Sequence, residues 1–130
     1  MLKLTRKIEY ALISLSHLQQ TDKLSSAKEI SETYSIPQEA LAKGLQQLVK
    51  LNILEAIQGS HGGYQLKTQL KNINLMEFIE KIEGPIGLVD CNIDADCSLL
   101  EYCNIRKPIR RINENLKNMF SNINLSDITQ

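Results

Sequence analysis

Between Ser26 and Lys67 the hydrophobic pattern changes period, and that stretch restricts the fold more than any other part of the chain. Ser26 followed by Glu29 has the capping-box spacing and predicts a short helix over AKEISETY. Pro37 predicts the opening of a second helix, because a missing N–H costs nothing in a first turn. In that helix Leu41, Leu45, Leu48 and Val49 face inward, while Glu39, Lys43, Gln46 and Lys50 fall on the opposite face. The period then drops to that of strands. LEAIQ and GYQLK flank the glycine-rich tip of NILEAIQGSHGGYQLKT and predict a β-hairpin. Gly62 and Gly63 permit backbone angles there that a side chain would forbid. Two short helices with a tight joint read as a helix-turn-helix, and helix, helix, hairpin is the winged-helix order.

The rest of the chain reads as helices around this centre. Leu4, Ile8, Leu12, Leu15 and Leu18 recur at helical spacing, with Ala11 beside them, and predict a buried stripe over 4–18. Asn74 with Glu77 caps a helix over LMEFIEKIE, with Leu75, Phe78, Ile79 and Ile82 on one side, and Gly84-Pro85 stops it. A last helix starts near Pro108. Its Ile109, Ile112, Leu116 and Met119 step 3, 4, 3, a seam that needs a partner helix and points to a homodimer. The fold class expected is mainly α with a small β-hairpin wing: a winged helix-turn-helix plus a C-terminal dimerisation helix. Residues 1–72 form the first domain; 73–130 hold the cysteine loop and the dimerisation helix. With 42% hydrophobic residues but only two Phe and no Trp, the core is aliphatic.

Charge and leader signals narrow the function classes. Residues 1–72 carry nine Lys/Arg against six Asp/Glu, and 73–130 carry six against nine, so the halves stand at +3 and −3. That asymmetry permits a polyanionic partner for the first half. Glu9 interrupts the amphipathic N-terminus, so it is not a signal peptide, and no apolar run is long enough to span a membrane. The expected location is the cytoplasm, where thiols stay reduced and a disulfide framework is not expected. No nucleophile–base pair is visible: His17 lies on the first helix and His61 in the wing, neither with a partner. The chain is not expected to be an enzyme or to take a small-molecule substrate.

All three cysteines, Cys91, Cys97 and Cys103, fall in CNIDADCSLLEYC. Steps of six residues turn by about 240° on a helix, so the thiols converge only from a loop. The spacing is wider than the C-x2-4-C of zinc sites, whereas an iron–sulfur core fills such gaps between thiolates. Residues 84–105 also hold Asp90, Asp94, Asp96 and Glu101 with no Lys or Arg. Such an acidic loop opposes free thiolates unless bound metal supplies positive charge. Two other readings stay open on the residues alone: a zinc-stabilised protein-interaction module and a small redox carrier.

LTRKIEYAL at the start, GSHGGYQL in the wing, then IEGP, LVDC and C-x5-C-x5-C follow in an order that resembles the winged-helix regulators that include IscR, NsrR and RirA, the Rrf-two family. The resemblance runs through nearly the whole chain. It implies a homodimeric transcription regulator whose binding to a double-stranded DNA operator answers to an iron–sulfur cluster, [2Fe–2S] or [4Fe–4S], on Cys91, Cys97 and Cys103. IscR-like members place a histidine three residues after the last cysteine, where this chain has Arg106. NsrR-like members complete the cluster with an acidic residue of the partner's first helix, and the matching position is Glu9. The wing departs from many relatives at Gln58, where they carry Arg, and at His61, where they carry Gly; Ala42 replaces the glutamate of IscR-like recognition helices. On this reading 37–50 enter the major groove, where Gln38, Glu39 and Lys43 read base edges. Gln58, Ser60 and His61 follow the wing into the minor groove, and Lys7, Lys28 and Lys50 hold phosphates.

Overall fold

The computed structural model describes residues 4–21, 23–88 and 104–129. In chain order its elements are α1 (Arg6–Gln20), α2 (Ala27–Tyr34), α3 (Gln38–Lys50), β1 (Leu54–Ile57), β2 (Gly63–Leu66), a 3-10 turn at Leu70–Asn72, α4 (Leu75–Glu83), α5 (Arg106–Ser121) and α6 (Leu125–Ile128). The chain divides into two compact units, 4–73 with 124–129, and 74–88 with 104–123. A sequence boundary at 72/73 kept 73–130 in one piece. The structure instead returns the last helix, α6, to the first unit.

In the first unit, α1 opens on Thr5, whose hydroxyl accepts the Ile8 N–H at 3.3 Å. Its inward face is Ile8, Ala11, Ser14, Leu15 and Leu18. Two residues of the expected stripe are not in it. Leu4 precedes the cap and is 40% exposed, and Leu12 sits half-buried at the edge of the face. Ser14 is tolerated inside because its hydroxyl donates to the Tyr10 carbonyl at 2.8 Å. The α2 cap is as expected, with the Ser26 hydroxyl accepting the Glu29 N–H at 3.1 Å. Ser35 then turns the chain in the left-handed region, at φ 54°, towards α3. Pro37 caps α3 from outside, at φ −55° and ψ 125°, rather than occupying its first turn. Leu41, Leu45 and Leu48 are buried, and Val49, expected inside, is half-buried.

The wing is a two-stranded antiparallel hairpin in the register Leu54↔Leu66, Glu55↔Gln65, Ala56↔Tyr64 and Ile57↔Gly63. Ser25 adds a bridge along the outer side of β2, accepting the Tyr64 N–H at 2.8 Å and donating its own N–H to the Tyr64 carbonyl at 3.2 Å. The returning segment closes the unit. The Leu125 N–H donates to the Ile73 carbonyl at 2.9 Å, and the Ser16 hydroxyl donates to the Thr129 carbonyl at 3.1 Å. Asn124 and Asp127 form a capping box on α6, and Leu125 and Thr129 are fully buried. No periodic signal in the sequence points to a helix there.

In the second unit, the Asn74 side chain caps α4 by accepting the Glu77 N–H at 2.7 Å. Leu75, Met76, Phe78, Ile79 and Ile82 are buried, and Gly84 ends the helix at φ 85°. Helix α5 begins two residues ahead of Pro108. Its buried residue is not apolar but Asn113, whose Oδ1 accepts the Leu88 N–H at 3.1 Å.

Candidate nucleic-acid interface

Helix α3 has one side committed to the core and the other free. Glu39, Lys43, Gln46 and Lys50 form the exposed line, with Gln38 exposed at its start. Glu39 lies in the first turn and Lys50 in the last, each where the helix dipole favours its charge. Neither Glu39 nor Lys43 forms an ion pair among the described residues, so these polar groups are not spent on the fold.

The wing tip is shaped by glycines, and the backbone angle expected of Gly62 and Gly63 is found at Gly63 but not at Gly62. Gly59 and Gly63 carry positive φ, at 116° and 157°. Gly62 has no positive φ and is required for space: a Cβ there would run into the Ile57 carbonyl oxygen and stand 2.9 Å from its carbon. Gly63 lets β2 lie flush on Ser25, whose backbone atoms a Cβ would meet at 2.8–3.0 Å. The turn is closed by the Gly62 N–H donating to the Gly59 carbonyl at 3.1 Å. Gln58, Ser60 and His61 are all exposed on this tip.

The structure therefore gathers Glu39, Lys43 and Lys50 on one helix face, leaves Gln38 exposed at the N-terminal end of that helix, and sets Gln58, Ser60 and His61 on one turn. Lys7 on α1 and Lys28 on α2 are exposed on separate helices of the same unit. A group absent from the sequence reading lies behind them. His17 has partners after all: its Nδ1 meets the Tyr34 hydroxyl at 2.9 Å and its Nε2 meets the Ser25 hydroxyl at 3.2 Å. Its ring stands edge-on to Tyr34, with centroids 5.5 Å apart. Residues eight and seventeen apart on different elements leave no periodic signal, so nothing in the sequence pattern marks this group.

The expected metal ligands Cys91, Cys97 and Cys103 lie outside the described residues, as do Asp90, Asp94, Asp96 and Glu101. Among the described residues no three His, Cys, Asp or Glu side chains converge as a metal site. Three thiols with a carboxylate are a donor set that suits iron. The Glu9 carboxylate pairs with Arg6 at 2.8 Å, and its side chain is 39% exposed. On α5, Ile112 and Met119 are each 53% exposed, Ile109 and Leu116 are half-buried, and Ile105 extends the same stripe at 53% exposed.

The Rrf2 family model, an iron-dependent transcriptional regulator, matches residues 4–130. The HTH-type transcriptional regulator NsrR of Bacillus subtilis is 34% identical over 110 residues, which cover 81% of this chain and 75% of that protein. The HTH-type transcriptional repressor NsrR of Streptomyces coelicolor is 28% identical over 116 residues, covering 87% and 78%. Among solved structures, CymR, the global cysteine regulator of B. subtilis, superposes with a TM-score of 0.77 at 25% identity, covering 99% of this chain and 97% of its own. The IscR structure from T. potens has a TM-score of 0.73 at 20% identity, covering 97% and 85%.

Proposed function

Because this chain belongs to the Rrf2 family of DNA-binding transcriptional regulators, we propose that it binds its operator as a homodimer and that an iron–sulfur cluster on Cys91, Cys97 and Cys103 sets its affinity. The family is one of regulators, not enzymes, and membership sets aside the electron-carrier reading. No helix among the described residues is long and apolar enough to cross a membrane. The protein works in the cytoplasm, without a small-molecule substrate.

Helix α3 enters the major groove, with Gln38, Glu39 and Lys43 at base edges. The tip residues Gln58, Ser60 and His61 follow the minor groove, and Lys7, Lys28 and Lys50 hold phosphates. The stripe Ile109, Ile112, Leu116 and Met119 is covered by the same stripe of a second copy, which places two α3 helices about one DNA turn, roughly 34 Å, apart. When bound, the cluster supplies iron centres that react with oxidants and nitric oxide. Cys91, Cys97 and Cys103 would hold it, and Glu9 of a second copy, here paired with Arg6 at 2.8 Å, would be the further ligand.

The observation that carries this reading is the match to an iron-dependent regulator family across 4–130 in a chain whose cysteines all sit in one acidic segment. Anaerobic purification with iron, sulfide and absorption analysis, followed by operator binding before and after oxidant, tests it. Visible cluster bands that vanish on Cys→Ala at 91, 97 or 103, with a change in operator affinity, support it. Colourless protein with bound zinc, or operator binding that ignores the cluster, refutes it. The likeness to a cysteine regulator names the competing signal: a thiol metabolite that shifts operator affinity of colourless protein.

A further inference from the structure

The wing packs on α1 and α3 and is also seated by a backbone pairing at Ser25, and an imidazole holds the side chain of that residue. Ser25 is 3% exposed and exchanges two hydrogen bonds with Tyr64 of β2, at 2.8 and 3.2 Å. Gly63 beside Tyr64 has no room for a Cβ against the Ser25 backbone, so β2 cannot slide outward or inward without losing this seat. The Ser25 side chain, in turn, is held by His17 Nε2 at 3.2 Å. The other ring nitrogen holds the hydroxyl of Tyr34, the last residue of α2, at 2.9 Å. Tyr34 directly precedes Ser35, whose left-handed turn aims the chain into α3. Both hydroxyls donate or accept, so either imidazole tautomer satisfies both contacts.

We propose that His17 is a positioning residue that holds the wing and the α2–α3 turn in one pose for DNA. The inference rests on the reading of α3 and the wing tip as the DNA face and adds what keeps those parts in register. It makes the major-groove and minor-groove elements one rigid reader instead of two that must each be ordered on binding. Preorganisation of this kind raises affinity by removing an ordering cost at the moment of binding.

The test uses full-length dimeric protein and a mapped operator duplex. His17→Ala removes both contacts. His17→Asn leaves an amide where Nδ1 stood, able to keep Tyr34, and His17→Gln leaves one where Nε2 stood, able to keep Ser25. His17→Ala is expected to lower operator affinity about tenfold, the loss of two hydrogen bonds' worth of order. Affinity for non-operator DNA should change less than twofold, since phosphate attraction is indifferent to the pose. The single-amide variants should fall between, and hydrogen exchange at the Tyr64 amide should quicken in His17→Ala and His17→Asn but not in His17→Gln. The decisive readout is a double-mutant cycle of Lys43→Ala with Gln58→Ala. Their costs should be coupled in the wild-type background and additive in His17→Ala. If both single costs are present and their coupling is unchanged by His17→Ala, the positioning inference is overturned while the DNA face stands. If neither Lys43→Ala nor Gln58→Ala alters operator binding, the DNA face itself is wrong and the inference falls with it. Should His17→Ala fail to fold, the Asn and Gln variants decide by the same coupling and exchange measurements.

Discussion

Gly62→Ala tests whether the wing tip is built on space or on backbone angle. The φ of Gly62 is one an L-residue can adopt, so conformational preference alone forecasts a mild effect. Steric placement forecasts a severe one. The added Cβ meets the Ile57 carbonyl oxygen, and stands 2.9 Å from the Ile57 carbon and 3.0 Å from the Gln58 carbon, all of them backbone atoms that no rotamer change can move aside. Non-bonded carbons prefer about 3.5–4.0 Å, so the turn must open by several tenths of an ångström or more. Opening breaks the Gly62 N–H to Gly59 carbonyl bond and the Ile57↔Gly63 end of the ladder. Two or three hydrogen bonds at about 1 kcal/mol each give a cost of roughly 2–3 kcal/mol. The damage stops there, because the Tyr64–Ser25 pairing and the Lys67 N–H to Ile53 carbonyl bond at 2.9 Å lie beyond the turn. Thermal melting should fall by several degrees, and operator affinity should fall further than melting implies, since Gln58, Ser60 and His61 ride on the rebuilt segment. Gly59→Ala is the contrast: φ 116° disfavours it, yet a Cβ there meets nothing within 4 Å, so its cost is angular only, about 1–3 kcal/mol. A Gly62→Ala protein that melts and binds operator like wild type would refute the steric argument.

Gly44→Ala, in mid-α3 with nothing within 4 Å of an added Cβ, should raise stability by about 0.5–1 kcal/mol in chemical denaturation; an unchanged or lower midpoint contradicts the geometry. Asn113→Ala leaves the Leu88 N–H without its acceptor and should cost about 1–3 kcal/mol in melting, with an accelerated loss of any cluster, because Leu88 lies three residues before Cys91. Leu116→Asp puts a charge in the middle of the α5 stripe and should yield monomer in sedimentation, at a cost of several kcal/mol to the dimer; wild-type protein that is monomeric at micromolar concentration ends the dimer reading. Lys50→Ala should weaken binding to all DNA sequences and make the salt dependence shallower by about one unit.

Local signals in the sequence carried far. Ser26 and Asn74 are the caps their spacing announced, the α4 face is Leu75, Phe78, Ile79 and Ile82 as its period required, and the hairpin strands match to within a residue at their ends. These features depend on neighbours three or four residues away, and such neighbours are visible in a string. What escaped was non-local. Leu12 lost its inward place because the face of α1 is centred by what packs on it, not by the leucine count. The role of Gly62 depends on the carbonyl of Ile57 across the turn, and the His17 group depends on three separate elements. Of the candidate site, the sequence marked the exposed face of α3 and the wing tip through polarity and glycine. It could not mark what braces them.

The return of α6 changes how the two units can communicate. A division at 72/73 would leave a single covalent link between the units. The chain crosses twice, at 73–74 and again at 123–124. Past the second crossing, Leu125 and Thr129 are fully buried within the first unit, and Thr129 is bonded to Ser16 of α1, one residue from His17. Burying a leucine contributes roughly 1.5–3 kcal/mol, enough to keep this anchor seated in most of the population. In the proposed mechanism α5 follows Cys103 directly and pairs two copies, so a change in the cysteine segment bears on its start while its end is tied into the helix that braces the wing. Replacing Leu125 by Ala should therefore loosen that tie: operator affinity would become less responsive to cluster loss while both cluster and dimer persist. Undiminished response, with the expected loss of stability, would place the coupling in the dimer interface alone.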